Sequence, residues 1–173
     1  MAQMLKDHTG SINCMSVLPQ FIATGASDGS INIYSTINAP DYRLLQTIRI
    51  ERFYPLTLAF HQTEDTILLA IGGSSSNIHL YVSTATSPSF QPAAILKGHE
   101  DWIRGLSFTS SPSEILLATA SQDRYIRLWK IHPSIPQSQQ PSTDTDALYP
   151  SLPCPKLILD SPQHWEVNPT LFK

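Results

Sequence analysis

The amino-acid sequence predicts an all-β chain made of about three four-stranded antiparallel units, followed by a proline-rich irregular segment. Three observations carry this expectation. Short β-branched and aromatic runs bounded by Gly, Asp, Asn and Ser fill residues 1–131, which is the pattern of strands and turns. The run ends recur: Ile31-Asn-Ile-Tyr34, Ile78-His-Leu-Tyr81 and Ile126-Arg-Leu-Trp129 close equivalent alternations 47 and 48 residues apart. A fixed period of that size marks a repeat architecture. Finally, no segment combines a sustained helical period with caps.

The first unit, about residues 5–48, holds the run Ile22–Ser27, then Ile31–Ser35, then Leu45–Ile48. Asp28-Gly29 between the first two is a hairpin-turn signal. Met4-Leu5-Lys6, before Asp7-His8, is expected to be an outer strand. The second unit, about 49–97, offers Leu56–Phe60, Thr66–Gly72, Asn77–Val82 and Ala93–Lys97. In the third, 98–131, the runs are Trp102–Phe108, Ile115–Ser121 and Tyr125–Ile131, and an outer strand is expected near 156–159. Eight of the fourteen prolines fall between Pro133 and Pro169. The stretch 132–155, rich in Pro, Ser, Gln and Thr, has too little apolar surface to offset the cost of ordering and reads as an irregular loop. Residues 160–173 read as an irregular tail.

Composition removes several function classes. A formal charge of -3 and a pI near 6.0 give no electrostatic reason to bind nucleic acid or an anionic membrane. No apolar run reaches the roughly 18 residues that a spanning helix needs. The N-terminus lacks the apolar core of a secretory signal. Cys14 and Cys154 are too few for a disulfide framework or a zinc site, and the six histidines show no ligand spacing. A reduced, intracellular protein without a metal or cofactor is expected.

The third unit reads Gly98-His99, then Asp123, then Trp129. This resembles the Gly-His … Asp … Trp pattern of WD repeats, whose period is about 40–45 residues. The first unit keeps His8, Thr24, Asp28 and Tyr34. The second has Ser75 at the Asp position and lacks the His. The resemblance implies an incomplete WD40-type β-propeller of about three blades. It also implies that His8, Thr24 and Asp28, and likewise His99, Thr119 or Ser121, Asp123 and Trp129, form buried hydrogen-bond chains tying a loop to a hairpin. A catalytic triad could draw on the same residue types. Its repetition argues against it, because one site is enough. A small hydrolase using Ser27 or Ser121 with His99 is the enzyme-class alternative.

Gly25-Ala-Ser-Asp-Gly29 matches a nucleophile elbow, but a strand-like run follows where a helix is required. Gly72–Asn77 lacks the Lys and the helix of a phosphate loop and reads as a loosened turn. Glu100-Asp101-Trp102, with Arg104, places an acidic pair beside a large aromatic. Two readings stand for it. One is a partner anchor, since Trp is enriched at interface hot spots; the other has Trp102 packed between blades with the acids solvated.

Taken with Leu45–Ile48, Ile78–Val82, Gly98–Gly105, Ala120–Asp123 and Ile126–Lys130, the sequence resembles the family of WD-repeat subunit 2 of the Elongator complex. That resemblance implies an internal part of the first of two tandem propellers. It implies a non-catalytic scaffold for tRNA wobble-uridine modification, linked also to transcription by RNA polymerase II. The implied partners are the large scaffold subunit and the catalytic radical-SAM/acetyltransferase subunit, with tRNA met only indirectly and no membrane. Cytoplasmic and additionally nuclear localisation is expected. A generic WD40 adaptor of another intracellular complex is the alternative within the interaction class. Three blades cannot close a ring, so the chain alone is expected to be poorly stable or to self-associate.

Overall fold

The computed structural model describes residues 3–38, 40–84, 87–111, 114–134, 156–159 and 163–166. Three antiparallel sheets form as the alternation requires. The first runs β1 (Ile12–Leu18), β2 (Phe21–Ala26), β3 (Ser30–Ser35) and β4 (Arg43–Arg49) in that order. The second is β5 (Pro55–Gln62), β6 (Thr66–Gly73), β7 (Ser75–Thr84) and β8 (Ser87–Leu96). In the third, β9 (Ile103–Ser110), β10 (Ile115–Ser121) and β11 (Tyr125–Ser134) are followed by β12 (Lys156–Leu159) and β13 (Gln163–Glu166). β1, β5 and β9 are neighbours, so the first strand of each sheet lies innermost.

The placement of β6 in the middle sheet explains why that strand is apolar without a break from Ile67 to Ile71. Alternate residues of β6 enter opposite cores: Ile67, Leu69 and Ile71 pack with Phe21, Ile31, Ile33 and Phe90 of the first seam. Leu68 and Ala70 pack with Ile103, Ile115, Leu117 and Trp129 of the second. A strand covered on both faces reads as a continuous apolar run, whereas a one-sided strand alternates. The outer sheets each keep one face with less cover, where Met15 (63% exposed), Val17 (56%) and Ile126 (39%) lie.

Four elements differ from expectation. β1 is broken into by Asn13, Cys14 and Ser16, which hides its alternation. Met4-Leu5-Lys6 is not a strand; the outer position of the first sheet is taken by β4, and no strand among the described residues pairs with this segment. β11 runs three residues into the stretch read as a loop, and β13 occupies part of the tail read as irregular. β12 pairs with Ile131–Ser134 and β13 with Tyr125–Leu128, so both lie along one edge of β11 and satisfy its free backbone groups. The rest of the proline-rich stretch, 135–155, and residues 160–162 and 167–173 of the tail lie outside the described residues.

Equivalent hairpins use different residues at the same strained position. Gly29 (φ 77°) follows Asp28, and Arg124 (φ 75°) follows Asp123. Their N–H groups close matching turns onto the Ala26 and Ser121 carbonyls, both at 3.1 Å. The left-handed region costs a residue with a Cβ about 1–2 kcal/mol, and glycine is free of that cost but loses more entropy on folding. Arg124→Gly is therefore expected to stabilise the third blade by about 0.5–1 kcal/mol, read as a rise in thermal midpoint. A fall would show that the Arg124 side chain contributes more than its backbone costs.

Candidate interaction site on the hairpin edge of the blades

Strand β10 carries Thr119 to the edge where the 121–125 hairpin meets the loop bearing His99. His99 Nδ1 lies 2.7 Å from Asp123 Oδ2, and Nε2 lies 2.8 Å from Thr119 Oγ1. The short contact to a carboxylate places the ring proton on Nδ1, leaving Nε2 as an acceptor. The direction of the whole chain follows. Trp129 Nε1–H donates to Thr119 Oγ1 at 3.0 Å, the Thr119 hydroxyl donates to His99 Nε2, and His99 Nδ1–H donates to Asp123. Backbone N–H groups of Glu100 (3.0 Å) and Tyr125 (2.9 Å) complete the carboxylate. Thr119, Trp129 and His99 are all buried.

The first blade repeats the device more loosely. Thr24 Oγ1 is 2.7 Å from His8 Nε2, but His8 Nδ1 is 3.4 Å from Asp28 and 2.9 Å from Ser30 Oγ. Ser30, whose hydroxyl donates to Asp28, relays the contact. In the second blade Glu51 stands four residues before β5, where His8 and His99 stand four before β1 and β9. Ile71 replaces the Thr, and Ser75 the Asp. Ile71 is fully buried, so the chain is replaced by an apolar contact instead of being left half made. Among the described residues no buried side-chain polar atom lacks a partner, which is the condition such networks must meet.

Burial pushes the Asp123 carboxyl up, but the Tyr125 and Glu100 N–H groups and His99 outweigh it and hold the acid at about 2. Asp28 is likewise lowered against its burial, by the Ser30 hydroxyl, the Thr9 and Ser30 N–H groups and His8. An acid whose folded pKa lies below its unfolded value of about 3.9 stabilises the fold above about pH 4 and loses that contribution as pH falls toward 2. Hydrogen exchange at the hairpin amides of blades one and three is expected to quicken through this window. Asp123→Asn should flatten the response in blade three alone; an unchanged response would show that other groups control it.

Ser121 is placed away from the chain. Its hydroxyl donates to the Asp101 carbonyl (3.0 Å) and accepts the Asp123 N–H (3.1 Å), pinning the 99–102 loop from below. Thr119, not Ser121, is the hydroxyl at His99. Ser27 accepts the Ser11 N–H at 2.9 Å in a different sheet. The Gly25–Gly29 segment passes from β2 to β3, strand to strand. Gly72–Asn77 is tighter than a loosened turn, since Gly73 pairs with Ser75 around Ser74 alone.

The Glu100, Asp101, Trp102 and Arg104 group comes together on the same edge. Asp101 Oδ1 accepts the Trp102 N–H at 2.7 Å, and the Arg104 guanidinium lies 5.2 Å from the Trp102 ring while donating to Gln122 at 2.8 Å. Trp102 remains 43% exposed, whereas its neighbour Ile103 is fully buried against Gly72 in the seam between blades. Glu100, Asp101 and Trp102 form one wall of a cleft of about 510 Å³. Its other wall is Glu51, Arg52 and Phe53, and its floor Ser74–Asn77 and His79. Sequence reasoning did not join these segments. It also missed Ser30 and Arg127; the latter is buried with Nε 3.3 Å from His99 Nδ1, and its alternation with Trp129 places both on one face.

Radiating four-stranded sheets, each with its polar chain or apolar replacement at the hairpin edge, are blades of a WD-type β-propeller. The chain carries WD repeats: the family model described as "WD domain, G-beta repeat" matches residues 2–35 and 90–130. The solved structure of U3-55K superposes with a TM-score of 0.61 at 27% identity, over 73% of this chain and 38% of that one. Within this class the sequence is similar to Elongator complex protein 2. The Schizosaccharomyces pombe protein is 40% identical over 70% of this chain and the Saccharomyces cerevisiae protein 36% over 75%. The chain spans 16% and 18% of those two relatives.

Proposed function

We propose that this chain is part of the first propeller of an Elongator subunit 2 and serves as a non-catalytic scaffold in tRNA wobble-uridine modification. The observation that carries the reading is the similarity to Elongator complex protein 2 across the blades themselves. The geometry supports it further, because the His, hydroxyl and acid groups are spent on holding hairpins. Apolar residues on the outward faces of the first and third blades, Met15, Val17 and Ile126 among them, are suited to further blades of the same ring. The partners in this reading are the large scaffold subunit and the catalytic radical-SAM/acetyltransferase subunit, in the cytoplasm and additionally the nucleus.

The test is affinity purification of the tagged full-length gene product. Both partner subunits are expected to co-purify, and deletion of the gene should lower modified wobble uridine in bulk tRNA. A product that brings down neither subunit would refute the assignment and favour an adaptor of some other complex.

A further inference from the structure

The second blade lacks the His–acid bridge, and its hairpin edge is hollow there. Glu51 occupies the His position and Ser75 the Asp position, so nothing crosses from the 50–54 loop to the 74–77 turn except the Tyr54–Ser74 clamp. In that clamp Ser74 N–H donates to the Tyr54 carbonyl (3.0 Å) and Tyr54 N–H to Ser74 Oγ (2.8 Å). The cleft above it measures about 510 Å³, within the range of roughly 300–1,000 Å³ usual for ligand sites.

From this geometry we infer that the cleft between blades two and three receives an arginine- or lysine-bearing loop of a protein partner. Charge gives the sign. Three carboxylates, Glu51, Glu100 and Asp101, line it against the single guanidinium of Arg52. Glu51 and Glu100 are exposed, so their charge is not consumed inside the protein. The aromatic wall gives the chemistry. Trp102 already holds the Arg104 guanidinium at 5.2 Å, which shows the ring placed to attract a cation, and it still exposes 43% of its surface. Asp101 fixes the backbone under the ring through the Trp102 N–H, so the anchor is held before a partner arrives, which lowers the ordering cost of binding. Ser74, Ser75, Ser76 and Asn77 supply acceptors at the floor for the remaining N–H groups of a guanidinium or ammonium. A phosphate backbone would meet the same three carboxylates and be repelled, which disfavours nucleic acid as the occupant.

The inference rests on the scaffold reading, and one experiment separates the two. Ser76→p-benzoylphenylalanine is introduced into the full-length protein in its own cells, the sample is irradiated, and the crosslinked segment is identified by mass spectrometry. The other Elongator subunits are quantified in the same purification. A crosslink is expected to a protein segment bearing Arg or Lys. Its yield should fall at least tenfold with Glu51→Lys and Glu100→Lys together, and return when the partner's basic residue is exchanged for Glu. Glu114→Lys, which breaks only the half-exposed pair with Lys130, should leave the yield unchanged. No crosslink, one to RNA, or one indifferent to charge reversal overturns the cleft assignment. If the Elongator subunits still co-purify, the scaffold reading survives that result. If they are absent while a basic segment crosslinks, the scaffold reading fails and the cleft stands.

Discussion

His99→Ala is expected to destabilise the third blade by about 3 kcal/mol. Removing the ring takes the acceptor from Thr119 and the donor from Asp123 at once. Thr119 is 1% exposed and the Asp123 side chain 4%, so water cannot easily replace what is lost. A buried group left without its partner costs more than the bond itself was worth. Native-state hydrogen exchange of β10 and β11 in the full-length protein measures the loss locally. Asp123→Ala should cost less when His99 is already alanine, by 1 kcal/mol or more, because both residues belong to one chain. Strict additivity would contradict the directional chain described above. The second blade supplies a further check: Thr119→Ile in the His99→Ala background imitates Ile71 and should recover part of the stability. A hydrolytic function would instead predict intact folding with lost activity.

The repeat made much of this legible. Tyr34, Tyr81 and Trp129 fall at one interval, and once they are aligned, His8 with Asp28 and His99 with Asp123 fall at equivalent places. Such residues are readable because the same polar chain is written twice. What was not legible has a physical reason in each case. Ser30 enters the first chain only because the His8 ring sits 3.4 Å from Asp28, too far for a good bond, and a hydroxyl fills the gap. Arg127 looks like a surface cation until its alternation with Trp129 turns it inward. β1 and β13 lack the apolar runs that mark strands, since β1 leaves one face with little cover and β13 lies at a sheet edge. Of the cleft, the Glu100-Asp101-Trp102 wall and the Gly72–Asn77 turn stood out in the sequence, but no motif joined them to each other or to Glu51–Phe53. The cleft is made by residues that are missing from the second blade, and its walls, Glu51–Phe53 and Glu100–Trp102, come from segments about 50 residues apart that only the fold brings together.

Gly73→Ala is expected to cost about 3 kcal/mol, and the loss should localise to the loop that walls the cleft. Gly73 ends β6 where the chain doubles back around Ser74, and the 51–54 loop lies directly on it. A Cβ there would collide with the Tyr54 carbonyl oxygen and approach Phe53 Cζ to 2.7 Å and the Tyr54 carbonyl carbon to 3.0 Å. Two of the three are backbone atoms, which cannot rotate away, so the 51–54 loop must lift as a unit. Lifting it stretches both hydrogen bonds between Tyr54 and Ser74 and withdraws Phe53 from its edge contact with His79, whose ring centroid is 5.5 Å away. Gly105→Ala is the control. Its Cβ would meet Ala120 Cβ at 3.5 Å, an ordinary contact between β9 and β10, and it should be neutral or slightly stabilising. Hydrogen exchange at the Tyr54 and Ser74 amides, compared between the two variants, reads the difference. Equal effects would mean that the cost is a general property of glycines in these strands; a loss confined to Gly73→Ala would show that close approach of the loop holds the second blade's edge in place of the missing His–acid bridge.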